Sequence, residues 1–170
     1  MDSKGAGLGT GILTLRAADL RDQGRNARAA AQALEGEVKN LCQYFTVDDL
    51  MFLRRTGRLS TAGALMGTLL GIKPLLWGDE TGHIVMLSKC RGRKKAIDTI
   101  AEIYARKVVA PEQGRVAISH GDCPEDAQTL ADKITALAKP KELIVCPHEP
   151  FTGSHVGPGM LAVYFFGDGR

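Results

Sequence analysis

Aromatic residues are scarce in this sequence of 170 residues, in which Phe, Trp and Tyr make up only 5%. A core built from it must be mostly aliphatic, and at 44% hydrophobic residues the chain can bury one within a single domain. A long uninterrupted hydrophobic run is also lacking, because Gly71, Lys73 and Pro74 break the longest apolar stretch, residues 59–77. This pattern argues against a membrane-spanning helix, so no stable membrane insertion is expected.

A strong excess of charge of one sign is missing too. The 22 Lys and Arg residues are nearly matched by 19 Asp and Glu residues, which gives a net charge of +3 and does not favour a nucleic-acid-binding protein. The basic residues nevertheless cluster at residues 54–58 and 89–95. A local anionic partner therefore remains open.

The cysteines show no spacing typical of a disulfide framework: they are Cys42, Cys90, Cys123 and Cys146. Because the first residues also lack the pattern of a signal peptide, we interpret the cysteines as reduced thiols of a cytoplasmic protein.

Two His–Cys pairs, His120 with Cys123 and His148 with Cys146, provide four side chains of the kind that bind zinc. Their spacing is irregular, and a proline crowds each pair. No metal is therefore expected, and His120 is predicted to end a strand instead.

Hydrophobic periodicity predicts helices alternating with strands, which is typical of an α/β fold. The predicted helices lie at residues 12–24, 27–40, 91–108 and 124–138, and Asp48 is expected to cap a short helix that ends at Gly57. The predicted strands lie at residues 41–46, 72–77, 83–88, 115–120, 142–146 and 160–166. Residues 72–88 are expected to form a hairpin, and residues 115–146 to hold two parallel strands joined by a helix.

The stretch of residues 52–76 joins a basic turn to an apolar helix. Its apolar side chains recur at helical spacing, while small residues such as Gly67 leave room for a close neighbour; the apolar positions are Ala62, Leu65, Met66, Leu69 and Leu70. An amphiphile with an anionic head group suits this arrangement. An ordinary core helix after a solvated turn suits it equally, so the residues alone leave both interpretations open.

Two further segments are candidates for contact with an anion. The Gly-rich residues 2–11 precede a helix and could cradle an anion, although a tight loop explains them as well. Residues 91–95 carry four basic side chains at the predicted start of a long helix, where positive charge opposes the helix dipole. A bound anion or an acidic partner would account for that cluster.

Several short motifs resemble the DegV family, the bacterial fatty-acid-binding proteins, and occur in the family's order. They are FTVDDL at residues 45–50, GRLS at 57–60, GIKPLL at 71–76, KCRGRKKA at 89–96 and SHVGPG at 154–159. The resemblance implies a mixed β-sheet packed with helices over residues 41–170, like the C-terminal domain of these proteins. Residues 1–40 would then be a helical segment left from the N-terminal or inter-domain region. We expect a chain without the family's N-terminal domain, able to form a homodimer through the truncated face.

The resemblance also implies a function. The protein would bind a long-chain fatty acid in an apolar tunnel and present its carboxylate to a separate fatty acid kinase catalytic subunit, with no catalysis and no cofactor of its own. His155, expected on a loop, and Arg91 would serve the head group, while Arg58 and Arg93 are candidates for kinase docking or anion contact. The candidate tunnel residues are Leu65, Met66, Gly67, Leu69 and Leu70.

Two alternatives remain at this stage. One is a small hydrolase or phosphotransferase that uses the Gly-rich loop to hold an anion, or Cys123 as a nucleophile. The other is a truncated scaffold that binds no ligand.

Overall fold

A computed structural model of the protein describes residues 1–59 and 71–170. Within these ranges the helices are α1 (Leu8–Asp22), α2 (Ala27–Glu37), α3 (Met51–Arg55), α4 (Arg93–Lys107), α5 (Pro124–Leu137) and α6 (Pro150–Val156), with short 3-10 helices at Val38–Asn40 and Pro111–Gln113. The strands are β1 (Leu41–Thr46), β2 (Ile72–Gly78), β3 (Ile84–Arg91), β4 (Arg115–His120), β5 (Glu142–Pro147) and β6 (Leu161–Phe166). Each of these helices is too short or too polar to span a bilayer.

The strands form one mixed sheet of six in the order β3-β2-β1-β6-β4-β5, which confirms the predicted α/β fold with a mixed sheet. Strands β2 and β3 form the expected antiparallel hairpin. Strands β4 and β5 are parallel and joined through α5, as predicted. All other neighbours in the sheet are antiparallel.

Helices cover both faces of the sheet. In β6, Leu161, Val163 and Phe165 pack into one hydrophobic cluster with α4 and α5. Ala162 and Tyr164, which alternate with them, pack into a second cluster with α1, α2, α3 and α6. Because successive side chains of a strand point to opposite faces, this double burial explains why β6 reads as a nearly continuous apolar run.

Helix α1 packs against β4 and β6 through buried side chains that include Ile12, Leu13 and Leu20. The first 22 residues thus contribute directly to the core of the sheet domain. The boundary expected after residue 40 stays a prediction.

The loop before α1 is held over the sheet by side chains from two distant positions. The Gln43 Oε1 atom of β1 accepts a hydrogen bond from the Ala6 N–H at 3.2 Å, and its Nε2 atom donates to the Lys4 carbonyl at 3.1 Å. The Arg170 guanidinium donates to the carbonyls of Lys4, at 2.7 Å, and of Ser3, at 2.8 Å. These contacts fix the Gly-rich loop at one edge of the cavity described below.

The predicted cap of the short helix α3 is wrong. Asp49, not Asp48, accepts the Met51 N–H, at 2.8 Å. Asp48 instead lies 2.7 Å from the Lys73 ammonium and 3.7 Å from the Arg93 guanidinium. The side chain that the sequence offered as a local cap is therefore engaged in contacts distant in the chain.

The predicted start of the long helix is also corrected, because Arg91 is the last residue of β3 and not part of the helix. It pairs with Ile72 in the register of the β2–β3 hairpin. Gly92, at φ +89°, then turns the chain into α4, which begins at Arg93. In the first turn of α4, Arg93 meets an acidic partner within the chain, Asp126 of α5, at 2.8 Å.

We predict that the exchange of Gln43 for Met destabilises the protein while preserving side-chain length. The variant loses both hydrogen bonds to the loop and leaves the Ala6 N–H without its partner, which should lower the free energy of unfolding by about 1–3 kcal/mol. Gln32→Met is the matched control, because Gln32 is exposed on α2. Urea denaturation measures both; equal stabilities would show that Gln43 does not hold the loop.

Candidate functional site

The described residues enclose a cavity of about 280 Å³ between the Gly-rich loop, the central strands, α3 and α6. Part of its wall is apolar: Phe45, Leu53, Ile84, Val156, Met160 and Ala162. Polar and basic side chains line the remainder: Lys4, Gln43, Arg58, His83, His148, Thr152, His155 and Tyr164. The cavity therefore combines the two chemical characters of an amphiphile, an apolar chain and a polar head.

A larger groove of about 660 Å³ lies elsewhere, but five of its charged side chains already pair with one another. Arg16 lies 2.9 Å from Glu37. Arg115 lies 3.0 Å from Asp19 and 2.6 Å from Glu142. The Arg115 guanidinium, as the main cause, lowers the pKa of Asp19. Because these charges satisfy each other, the smaller cavity is the stronger candidate for a binding site.

His155 lies on α6, which corrects its expected position on a loop. The Glu149 carboxylate accepts the Thr152 N–H, and Pro150 occupies the first turn, so the residues before His155 start a short helix. The imidazole packs edge-on against Phe151, with ring centroids 5.5 Å apart. Its Nδ1 atom is buried and makes no hydrogen bond to any of the residues that the structure describes. His155 thus brings an unused polar atom to the cavity wall.

His148 follows directly after β5 and brings a second imidazole to the same cavity. The backbone N–H of His148 donates to the His120 carbonyl at 2.7 Å, and the Nδ1 atom of its ring lies 2.8 Å from the Ser119 hydroxyl. The Ser119 hydroxyl in turn lies 3.4 Å from that of Tyr164. The Nε2 atom of His148 is buried and has no hydrogen-bond partner within residues 1–59 and 71–170. Burial lowers the pKa of His148 and raises the pKa of Tyr164 to about 12.

The predicted arginines are placed differently from one another. Arg58 lines the cavity and donates to the Thr56 carbonyl. Arg91 is exposed and is not among the lining residues. Arg93 is mostly buried and paired with Asp126. The roles assigned to these residues stay predictions.

The tunnel residues Leu65, Met66, Gly67, Leu69 and Leu70, and the motif residue Ser60, lie outside the described residues. Their proposed contact with an acyl chain stays a prediction.

The four cysteines are free thiols in this structure, and their assignment to a reducing compartment stays a prediction. The Cys123 thiol donates to the Met160 carbonyl at 3.2 Å, and burial raises its pKa, which disfavours the reactive thiolate. His120 accepts the Cys123 N–H, while His148 contacts Ser119. Within residues 1–59 and 71–170, no cluster of three or more His, Cys, Asp or Glu side chains could hold a metal.

Sequence reasoning missed Gln43, Ser119 and Tyr164, and considered His148 only as a metal ligand. One signal was present: Gln43 and Ser119 are polar residues in the interior of strands that are largely apolar between their ends. A buried polar side chain needs a hydrogen-bond partner, so each position called for a specific contact. Only the fold shows that these contacts meet beside one cavity.

Comparison with known proteins agrees with this architecture. The family described as "Uncharacterised protein, DegV family" matches residues 1–168. A DegV domain-containing protein of Clostridium perfringens is 37% identical over 168 residues, which cover 99% of this chain and 58% of the relative. The chain thus spans little more than half the length of that relative.

Solved structures share the fold. One described as "Fatty Acid Binding of a DegV family Protein from Thermus thermophilus" is 28% identical with a TM-score of 0.87, over 98% of this chain and 60% of that one. The Streptococcus pneumoniae Fatty Acid Kinase (Fak) B3 protein loaded with linoleic acid is 22% identical, also with a TM-score of 0.87, over 99% of this chain and 59% of that one. By its sequence match and its fold, this chain belongs to the DegV family.

Proposed function

We propose that this chain binds a long-chain fatty acid, with the carboxylate at His155 and the acyl chain along the apolar wall of the cavity. One observation carries the proposal: a single cavity joins apolar side chains such as Leu53 and Met160 to buried imidazole nitrogens that have no hydrogen-bond partner in the described part of the chain. The fatty acid binding named for the Thermus thermophilus structure supports it.

The His155 nitrogen provides the energetic reason. A buried polar atom without a hydrogen bond destabilises a protein by about 1–3 kcal/mol, and a ligand oxygen at Nδ1 would remove that penalty. A carboxylate is suited to this position because hydrogen bonds to charged groups are stronger than those between neutral groups. Binding would thus provide the hydrogen-bond partner that His155 Nδ1 lacks among the described residues.

The apolar part of the ligand would lie against Leu53, Val156 and Met160, all of which are buried. The tunnel proposed for residues 65–70 would extend this wall. Because burial of each methylene contributes about 0.8 kcal/mol, the chain would supply much of the affinity and the head group would supply orientation.

We further propose that the protein is a carrier without catalysis of its own, which presents the carboxylate to the catalytic subunit of a fatty acid kinase in the cytoplasm. The fold shared with the Fak B3 protein supports this part of the proposal. Arg91, exposed at the end of β3, is the candidate contact with the kinase. A homodimer stays a prediction.

The rival hydrolase or phosphotransferase finds less support. The Cys123 thiol donates to a backbone carbonyl and its pKa is raised. The Ser119 hydroxyl contacts an imidazole, but Ser119 is completely buried and cannot reach a substrate as a nucleophile. Turnover of an activated acyl or phosphoryl substrate by the pure protein would favour the rival.

We predict that His155→Ala weakens the binding of palmitic acid. Loss of a hydrogen bond to a carboxylate, worth about 1.5–3 kcal/mol, corresponds to a dissociation constant about 10- to 150-fold higher. Isothermal titration of delipidated protein measures the change. Ser154→Ala is the matched control, because Ser154 is the exposed neighbour on the same helix. Equal affinities of the two variants would remove His155 from the site.

We predict that Arg91→Ala retains palmitic acid, but that the kinase catalytic subunit phosphorylates the bound fatty acid more slowly. Loss of one exposed ion pair across the contact, worth about 1 kcal/mol, corresponds to roughly a fivefold effect. Lys89→Ala is the control, since Lys89 is an exposed cation two residues earlier on β3. Transfer of phosphate from ATP to the bound fatty acid is the measurement. An unchanged rate would show that Arg91 does not contact the kinase.

A further inference from the structure

We propose that His148 is a second hydrogen-bond donor to the carboxylate, and that Tyr164 and Ser119 hold it in the tautomer that presents Nε2–H. The inference rests on the proposed function and adds a residue that acts on the same head group. His148 contributes the donor itself. Ser119 and Tyr164 are positioning residues, because they act on the ligand only through the imidazole.

The proposed direction of the hydrogen bonds runs from Tyr164 through Ser119 to His148. Tyr164 is buried and its pKa is about 12, so its hydroxyl keeps its proton at neutral pH. Its side-chain partner in the described part of the chain is the Ser119 oxygen, at 3.4 Å, and in the proposed direction Tyr164 is the donor. Ser119 then donates its own proton to His148 Nδ1, at 2.8 Å. A neutral imidazole that accepts at Nδ1 carries its hydrogen on Nε2.

The Nε2 atom of His148 is the ring nitrogen that is available to a ligand. It is buried and has no hydrogen-bond partner among the described residues, although the rest of the ring is held at Nδ1 and through the backbone. A histidine with a purely structural role would be expected to satisfy both ring nitrogens, since buried polar atoms nearly always find partners. Both His148, with its Nε2 atom, and His155, with its Nδ1 atom, line the cavity, so each brings to it a nitrogen without a partner among the described residues.

Gly7 provides the space for this ring. A Cβ atom at position 7 would lie 2.8 Å from His148 Cε1 and 3.4 Å from the Tyr164 hydroxyl, so any other residue would displace the imidazole. Gly7 also has φ +52° and ψ −128°, a conformation that favours glycine. The loop residues Gly5, Ala6 and Gly7 carry no hydrogen-bonding side chain. The absence of a side chain at Gly7 therefore allows the His148 imidazole to occupy this side of the cavity.

The decisive experiment compares palmitic acid with hexadecan-1-ol, which has the same chain but a neutral head. In His148→Phe, which keeps an aromatic ring and removes both nitrogens, we expect about tenfold weaker binding of the acid and a smaller loss for the alcohol. The preference for the acid should fall about fivefold. Ser119→Ala should also lower the preference for the acid over the alcohol, but by less than His148→Phe. Ser119→Thr, which keeps a hydroxyl at this position, should show the wild-type preference. Circular dichroism verifies the fold of each variant.

The outcomes separate the two proposals. If wild-type protein binds neither palmitic acid nor the alcohol, the proposed function is wrong. If the wild type binds the acid and folded His148→Phe keeps the same preference for acid over alcohol, the role of His148 is wrong while the proposed function stands. Should His148→Phe not fold, the Ser119→Ala and Ser119→Thr pair decides: an unchanged preference in both overturns the inference.

A pH profile gives an independent readout. Burial lowers the pKa of His148 below its ordinary value of 6.5, and the nearby Glu149 charge opposes this shift only in part. A carboxylate at Nε2 favours the imidazolium, in which Nδ1–H would donate to a rotated Ser119 hydroxyl, so we expect a higher His148 pKa in the complex than in the free protein. The complex then binds protons more readily, and affinity for palmitic acid should rise as the pH falls from about 8 to about 6. A rise of the same size in His148→Phe would overturn the inference.

Discussion

The carboxamide of Gln43 is the contact on which the arrangement of the site depends. It is a buried polar side chain in the middle of the sheet, and it ties the loop before α1 to β1 through one donor and one acceptor. The glycines around it make room for this packing: a Cβ atom at Gly5 or Gly9 would lie 2.7 Å or 2.6 Å from the Gln43 oxygen. The Gly-rich loop is thus shaped to receive a side chain of the sheet, and the cavity lies beside that contact.

The same geometry separates binding from catalysis. The polar groups beside the cavity are Ser119 of β4, His148 at the end of β5 and Tyr164 of β6, and the strands β4 and β6 are buried on both faces of the sheet. Burial keeps these groups neutral and directs their hydrogen bonds inward. Such an arrangement can hold and orient a carboxylate with fixed donors, but it offers no exposed nucleophile. The apolar wall opposite gives the ligand its second requirement, a place for hydrocarbon.

Most of the fold could be predicted from the sequence, because strands and helices leave periodic patterns of apolar residues. The run in β6 is an example: double burial makes it almost wholly apolar, and the sequence shows it directly. Parallel β4 and β5 followed from the helix between them. The positions of Arg91 and His155 could not be predicted in the same way. Gly92 ends a strand before the helix begins, and Glu149 caps a helix where Gly and Pro suggested a loop.

The polar contacts of the site were beyond sequence reasoning for a physical reason. Ser119 and Tyr164 are separated by 45 residues, and Gln43 reaches a loop 37 residues away. No local pattern encodes such pairs, since only the register of the sheet and the packing of α1 bring them together. The family resemblance identified His155. The proposed role of His148 depends instead on its Nε2 atom, which has no partner among the described residues, and on the space at Gly7, and only the folded structure shows these two features.

The most direct test of this account is a crystal structure of the chain with bound palmitic acid. The account predicts that one carboxylate oxygen lies at hydrogen-bond distance, about 2.7–3.2 Å, from His155 Nδ1 and the other at the same distance from His148 Nε2, with the acyl chain against Leu53 and Met160. A carboxylate located away from both imidazoles, or a cavity in which the methyl end of the chain faces the histidines, would contradict it.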